Sequence, residues 1–96
     1  MKLFKQSPIN DLKGLSEIVQ LKVNSLFDAC GGSPAPGTNL DQAGLKEGNK
    51  IIEDYIEHGE AGLAFEHLQY MIKETEIELN DAEQKSFSLL HKIYTN

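Results

Sequence analysis

The sequence predicts an all-α fold, a single-domain bundle of four helices, or five if the second splits. Three observations carry that prediction. Apolar residues recur every three or four positions through most of the chain, clusters of turn formers interrupt that rhythm, and the one stretch that alternates like a strand has no visible partner. With 96 residues the chain can bury only about 60–68% of its unfolded surface, which is one modest core and no separate lid or cofactor lobe. We therefore expect one domain over residues 1–96, and a large layered enzyme fold is not expected.

The first helix is predicted from about Ile9 to Cys30, because Leu12, Leu15, Val19, Val23, Leu26, Phe27 and Cys30 fall three or four apart. Ser7-Pro8 can cap it with Pro in the first turn, Asn10 being the alternative cap, and Gly31-Gly32 ends it. Residues Gly31 to Asn39, rich in Gly, Pro, Ser and Thr, form the one clear loop. A second helix is predicted from Leu40 or Asp41 to His58, with Ile51, Ile52, Tyr55 and Ile56 in its last two turns. Its first half is weak. Gly44 and Gly48 each cost about 1 kcal/mol relative to Ala inside a helix, so the part before Asn49 can fray or break into a separate turn.

Gly59 terminates the second helix, and Glu60 opens a third that runs to about Glu74. This is the strongest helical pattern in the chain, with Ala61, Ala64, Phe65, Leu68, Met71 and Ile72 on one stripe. The joint at Gly59 is short enough to require a tight corner or an antiparallel hairpin. Residues Thr75 to Leu79 are read as a connector, and Asn80 with Glu83 three positions later has the spacing of a capping box for the last helix. Phe87, Leu89, Leu90, Ile93 and Tyr94 carry that helix to the end of the sequence.

Charge narrows the function classes. The formal net charge is −6, and it is unevenly placed. Residues 1–50 hold six Lys and five acids, a net of +1, whereas residues 51–96 hold three Lys and ten acids, a net of −7. A nucleic-acid backbone or an anionic membrane would repel such a surface, so a basic partner is expected. Every basic side chain is Lys, which removes the planar fork that suits bidentate phosphate recognition. No apolar run approaches the ~18 residues of a membrane span and the first residues lack an apolar targeting core, so we expect a soluble, cytoplasmic protein. Cys30 is the one cysteine, which excludes an internal disulfide.

The segment Gly32 to Thr38 has the outline of a phosphate-binding loop but lacks the Lys, and its two Pro remove amide donors. His58, His67 and His91 have no metal-ligand spacing. Cys30 is expected as a buried or half-buried thiol, since a helix C-terminus disfavours the thiolate. Ser25, in Asn24-Ser25-Leu26, is similar to the carrier serine of acyl carrier proteins, yet it sits inside a helix where that serine begins one. The carboxylate pairs Glu53 with Glu57 and Glu74 with Glu78 have acid–base spacing but no expected pocket. No enzymatic activity, metal or cofactor is expected.

One segment goes beyond composition: Asp54-Tyr-Ile-Glu-His-Gly-Glu-Ala-Gly-Leu-Ala-Phe-Glu-His-Leu68, followed by an acidic connector and a capped last helix. It resembles the MafI-type family of small bacterial immunity proteins of polymorphic-toxin and contact-dependent growth-inhibition systems. Gly59, Glu60, Gly62 and Ala64 carry the match, which covers about residues 51–94. Ala61 stands where that family commonly has Trp or Tyr, and Thr75-Glu-Ile-Glu-Leu79 replaces a more usual Tyr-Asp-Ile-Pro-Ile. The same glycines also have a structural reading, in which Gly59 caps a helix while Gly62 and Ala64 allow close packing.

The resemblance implies an immunity protein that binds the C-terminal domain of a cognate toxin, often a nuclease and in some systems an EndoU-like ribonuclease. A basic nuclease cleft and an acidic inhibitor attract one another, so Glu53, Asp54, Glu57, Glu60 and Glu66 are the candidate partners for toxin Lys or Arg. Tyr55 and Tyr70 are the candidate aromatic anchors where exposed. The rival readings are a non-catalytic helical adaptor for another basic protein and a small homodimeric bundle.

Overall fold

The computed structural model describes residues 8–95, and every regular element among them is helical. The helices are α1 (Pro8–Ala29), α2 (Gly48–Glu57), α3 (Ala61–Thr75) and α4 (Asp81–Tyr94). The expected all-α bundle is thus present with four helices. Helices α1 and α3 form its centre, each touching the other three, while α2 and α4 flank them and do not touch one another. The core follows from that arrangement. Leu12, Leu15, Val19, Val23 and Phe27 of α1 meet Ala64, Phe65, Leu68 and Met71 of α3, whereas α2 contributes Ile52 and α4 contributes Leu90.

The ends of α1 and α2 close in the same way. Gly31 and Gly32 donate their N–H groups to Asp28 (3.1 Å) and Phe27 (2.7 Å), and Gly59 and Glu60 donate theirs to Ile56 (3.1 Å) and Tyr55 (2.8 Å). These are paired Schellman bonds. At Gly59 φ is +76°, a conformation that a Cβ resists, and it turns the chain directly into α3. The two helices are joined by the tight turn that the sequence requires.

Helix α4 starts with the predicted capping box. Asn80 Oδ1 accepts from Glu83 N–H (2.8 Å), and Glu83 Oε1 accepts from Asn80 N–H (2.9 Å) and from Lys22 Nζ of α1 (2.8 Å). Lys22 also donates to the Glu78 carbonyl (2.6 Å), which ties the connector to α1. The Lys22 bond first, and the Asn80 N–H second, hold the Glu83 carboxyl below its usual range. Its contribution to stability is therefore complete above pH 4.5 and fades as acid protonates it. Asn80→Ala, which removes the cap, is expected to cost about 0.5–2 kcal/mol. Thermal unfolding followed by circular dichroism would show Tm falling about 4–8 °C per kcal/mol.

Several expectations need correction. Helix α2 begins at Gly48, not at Leu40 or Asp41, because residues 40–47 form a chain of turns. A Cβ built on Gly48 would lie 2.3 Å from Met71 Sδ and 2.5 Å from its Cε, so this glycine is the close approach of α2 to α3 and not merely a weak helix former. Cys30 is exposed. It follows the last residue of α1, and its thiol bonds back to the Phe27 carbonyl (3.3 Å) in the last turn of that helix. Gly62 is not a packing site either, since a Cβ there would meet nothing within 4 Å, while Ala64 is fully buried as expected. The Ser7 cap lies outside the described residues.

Candidate functional site

The acidic residues expected to meet a partner collect at the α2–α3 corner. Glu53 and Glu57 are one turn apart on α2, Asp54 is beside them, and Glu60 occupies the N-cap position of α3. Asp54, Glu57 and Glu60 are exposed, and Glu53 is half-buried. Four carboxylates thus stand within eight residues of chain whose turn is held by the two Schellman bonds at Gly59 and Glu60. Glu60 caps α3 through its backbone, accepting from Ala64 N–H (3.0 Å), and makes no side-chain cap bond. Its carboxylate is free to work with the others near the positive end of the helix dipole.

His58 lies inside this corner. Its Nδ1 is 2.7 Å from the Asp54 carbonyl and 3.6 Å from Asp54 Oδ1. The carbonyl hydrogen bond, then the Asp54 carboxylate, and more weakly Glu57, raise the imidazole above its ordinary 6.5. The corner is therefore most negative above that range, and protonation of His58 reduces its charge as pH falls. Toward the start of α2, Glu47 pairs with Lys50 at 3.0 Å, which leaves the excess of carboxylate at the Gly59 end.

The remaining candidates do not join the corner. Glu66 sits on the exposed side of α3 in a row with Leu63, Tyr70 and Lys73, so a lysine lies two turns from it on the same face. Tyr70 is half-buried, and its hydroxyl donates to the Ala43 carbonyl (2.8 Å), with Gln42 Oε1 at 3.2 Å sharing the same hydrogen. Its ring packs at 5.4 Å from His67, whose Nε2 is 2.8 Å from the Gly44 carbonyl. Tyr70 is thus a strut for the 40–47 turns. Tyr55 is half-buried against the core, with part of its surface in the shallow groove of Glu47, Lys50, Ile51 and Asp54.

One residue that sequence reasoning missed organises the same region. Gln20 is 6% exposed, and the two N–H groups of its amide are shared among three acceptors, the carbonyls of Leu45 (3.1 Å) and Lys46 (3.0 Å) and Asn24 Oδ1 (3.0 Å). Its Oε1 accepts from Asn49 N–H (2.9 Å) in the first turn of α2. The available signal is a polar side chain, like Ser16 before it, on the edge of the apolar stripe of Val19, Val23 and Phe27. Gln20 fixes where α2 starts, and so where its carboxylates stand.

Other constellations remain dispersed. Ser25 is exposed inside α1 and bonds back to the Leu21 carbonyl (3.2 Å). Glu74 accepts from Gln42 Nε2 (2.9 Å), a structural bond. Among the described residues no three His, Cys, Asp or Glu side chains converge as a metal site, and no helix is long and apolar enough to cross a membrane. The groove of about 630 Å³ between α1 and α2 is lined by Gln20, Asn24, Asp28, Lys46 and Lys50 among others. Gln20 is already fully hydrogen-bonded there. No family model, curated protein or solved structure matches the chain.

Proposed function

We propose that this protein is a non-catalytic, immunity-type inhibitor that binds a basic toxin domain, a nuclease, and covers its substrate cleft with the α2–α3 corner. One observation carries the reading: Glu53, Asp54 and Glu57 on the last two turns of α2 and Glu60 at the start of α3 stand within eight residues around a hydrogen-bonded turn, with the His58 imidazole among them. Such a surface mimics the charge of the phosphates that a nuclease cleft receives, and complementarity of this kind accelerates association. The resemblance of residues 51–94 to MafI-type immunity proteins points the same way. Tyr55 is the aromatic side chain beside these acids, while Glu66 and Tyr70 belong to the neighbouring face of α3.

The reading is tested by pull-down against the product of the adjacent upstream gene, followed by a nuclease assay with and without this protein. Reversing Glu53, Asp54 and Glu57 together to Lys takes the net charge from −6 to zero. Association should then slow about ten- to a hundredfold at low ionic strength, and the salt dependence should flatten. A toxin that binds the triple variant at the wild-type rate across a salt series contradicts the proposed contact.

A further inference from the structure

Helix α4 carries a face that no other described residue covers. Ala82, Ser86, Leu89 and Ile93 follow one another at spacings of four, three and four, the repeat that keeps side chains on one seam of a helix pair. Leu89 is 60% and Ile93 51% exposed. The seam has a polarity of size, since its first two residues are small and its last two are large. Beside the small pair lies a groove of about 280 Å³ between α4 and α1, lined by Ala82, Glu83 and Ser86 on one side and Gly14, Leu15 and Ile18 on the other.

A strip that is hollow at one end and protruding at the other complements its own reversed copy. Charge has the same symmetry. Asp81, Lys85 and Lys92 are exposed on one flank of the strip, in no ion pair with each other or with any other described residue, and in the reversed pairing Lys85 falls opposite the uncharged Ser88. In an antiparallel helix pair, like flanks face one another. The register that seats Ile93 over Ala82 of the second copy and Leu89 over its Ser86 also brings Lys92 within a turn of that copy's Asp81, and two-fold symmetry makes both contacts twice. A partner of another kind would have to supply knobs and charges in this same order, which a second copy already has.

We infer that the α4 face is the contact of an antiparallel, two-fold homodimer, with Leu89 and Ile93 of each chain entering the α1–α4 groove of the other. The inference rests on no reading of function. The seam is about 17 Å long, short for a permanent dimer, so dissociation in the range of about 10–100 µM is expected.

Sedimentation equilibrium of the full chain from about 10 µM to about 1 mM, which brackets that range, reads the proposal directly. The wild type should pass from monomer to dimer. Leu89→Glu should weaken dimerisation at least about tenfold while leaving the Tm of the dilute protein unchanged, because Leu89 is exposed in the monomer. Lys92→Glu should weaken it about three- to tenfold, and adding Asp81→Lys should restore it. A chain monomeric at every concentration overturns the proposal, as does a dimer indifferent to Leu89→Glu. A monomeric wild type whose Tm drops in Leu89→Glu assigns the strip to a contact within the chain, and likewise overturns it.

Discussion

Phe65→Ala should lower the unfolding free energy by about 3–5 kcal/mol. Phe65 is fully buried, and its ring lies 5.2 Å from Phe87 and 6.1 Å from both Tyr94 and His91, centroid to centroid. Those three neighbours are all on α4, whose only fully buried apolar residue is Leu90. Phe65 is therefore the main apolar link between α3 and α4, and its loss opens a cavity that α4 cannot refill without leaving α1. Against a total of about 5–15 kcal/mol for a domain of ordinary stability, the variant should be marginal at best. Urea denaturation should show a lower midpoint, and amide exchange should quicken first in residues 81–94. A loss below about 1 kcal/mol, less than the usual range for a buried ring, would mean that α4 is held by something other than this aromatic cluster.

Gln20→Ala has the second-largest expected effect, about 2–4 kcal/mol, because three backbone groups lose their partner together. The Leu45 and Lys46 carbonyls lose a donor, and the Asn49 N–H loses its acceptor. Leu45 is fully buried beside this network, so water cannot replace every bond without disturbing the core. Gln20→Glu separates the parts of the effect. It keeps an acceptor for Asn49 but has no amide donor and sets a carboxylate against two carbonyl oxygens, so it should be no more stable than the alanine variant. Exchange protection at the Asn49 amide is the decisive measurement, and unchanged protection in Gln20→Ala would contradict the assigned role. Both variants should also loosen the corner that carries Glu53, Asp54 and Glu57, since α2 is anchored at its first turn.

The elements with local causes were legible in the sequence. The Gly31-Gly32 and Gly59 stops, the Asn80 and Glu83 box and the long stripe of α3 each depend on residues within one or two turns, and each stands where it was expected. The acidic corner was legible for the same reason, because Glu53, Asp54, Glu57 and Glu60 are neighbours in the chain. Tyr70 was not, since the groups that engage its hydroxyl, Gln42 and Ala43, lie 28 and 27 positions away. The exposure of Cys30 was decided by one residue of helix length, α1 ending at Ala29 and leaving the thiol in the turn.

By itself, then, the sequence determined that this chain is helical, at least one boundary of each of its four helices, and that its negative charge belongs to the second half. Periodicity, caps and composition are local properties, and no contact between distant residues is needed to read them. The tertiary structure chose between the two starts the sequence left open for α2, Leu40 or Asp41 and the break before Asn49, because that boundary is anchored by Gln20 from α1 and by the approach of Gly48 to Met71. It alone decided that Tyr70 turns to the 40–47 segment instead of the acidic corner, and that α4 keeps an apolar face that no other described residue covers. Those outcomes depend on which helix faces meet, and a face is filled or left open by residues far away in the chain.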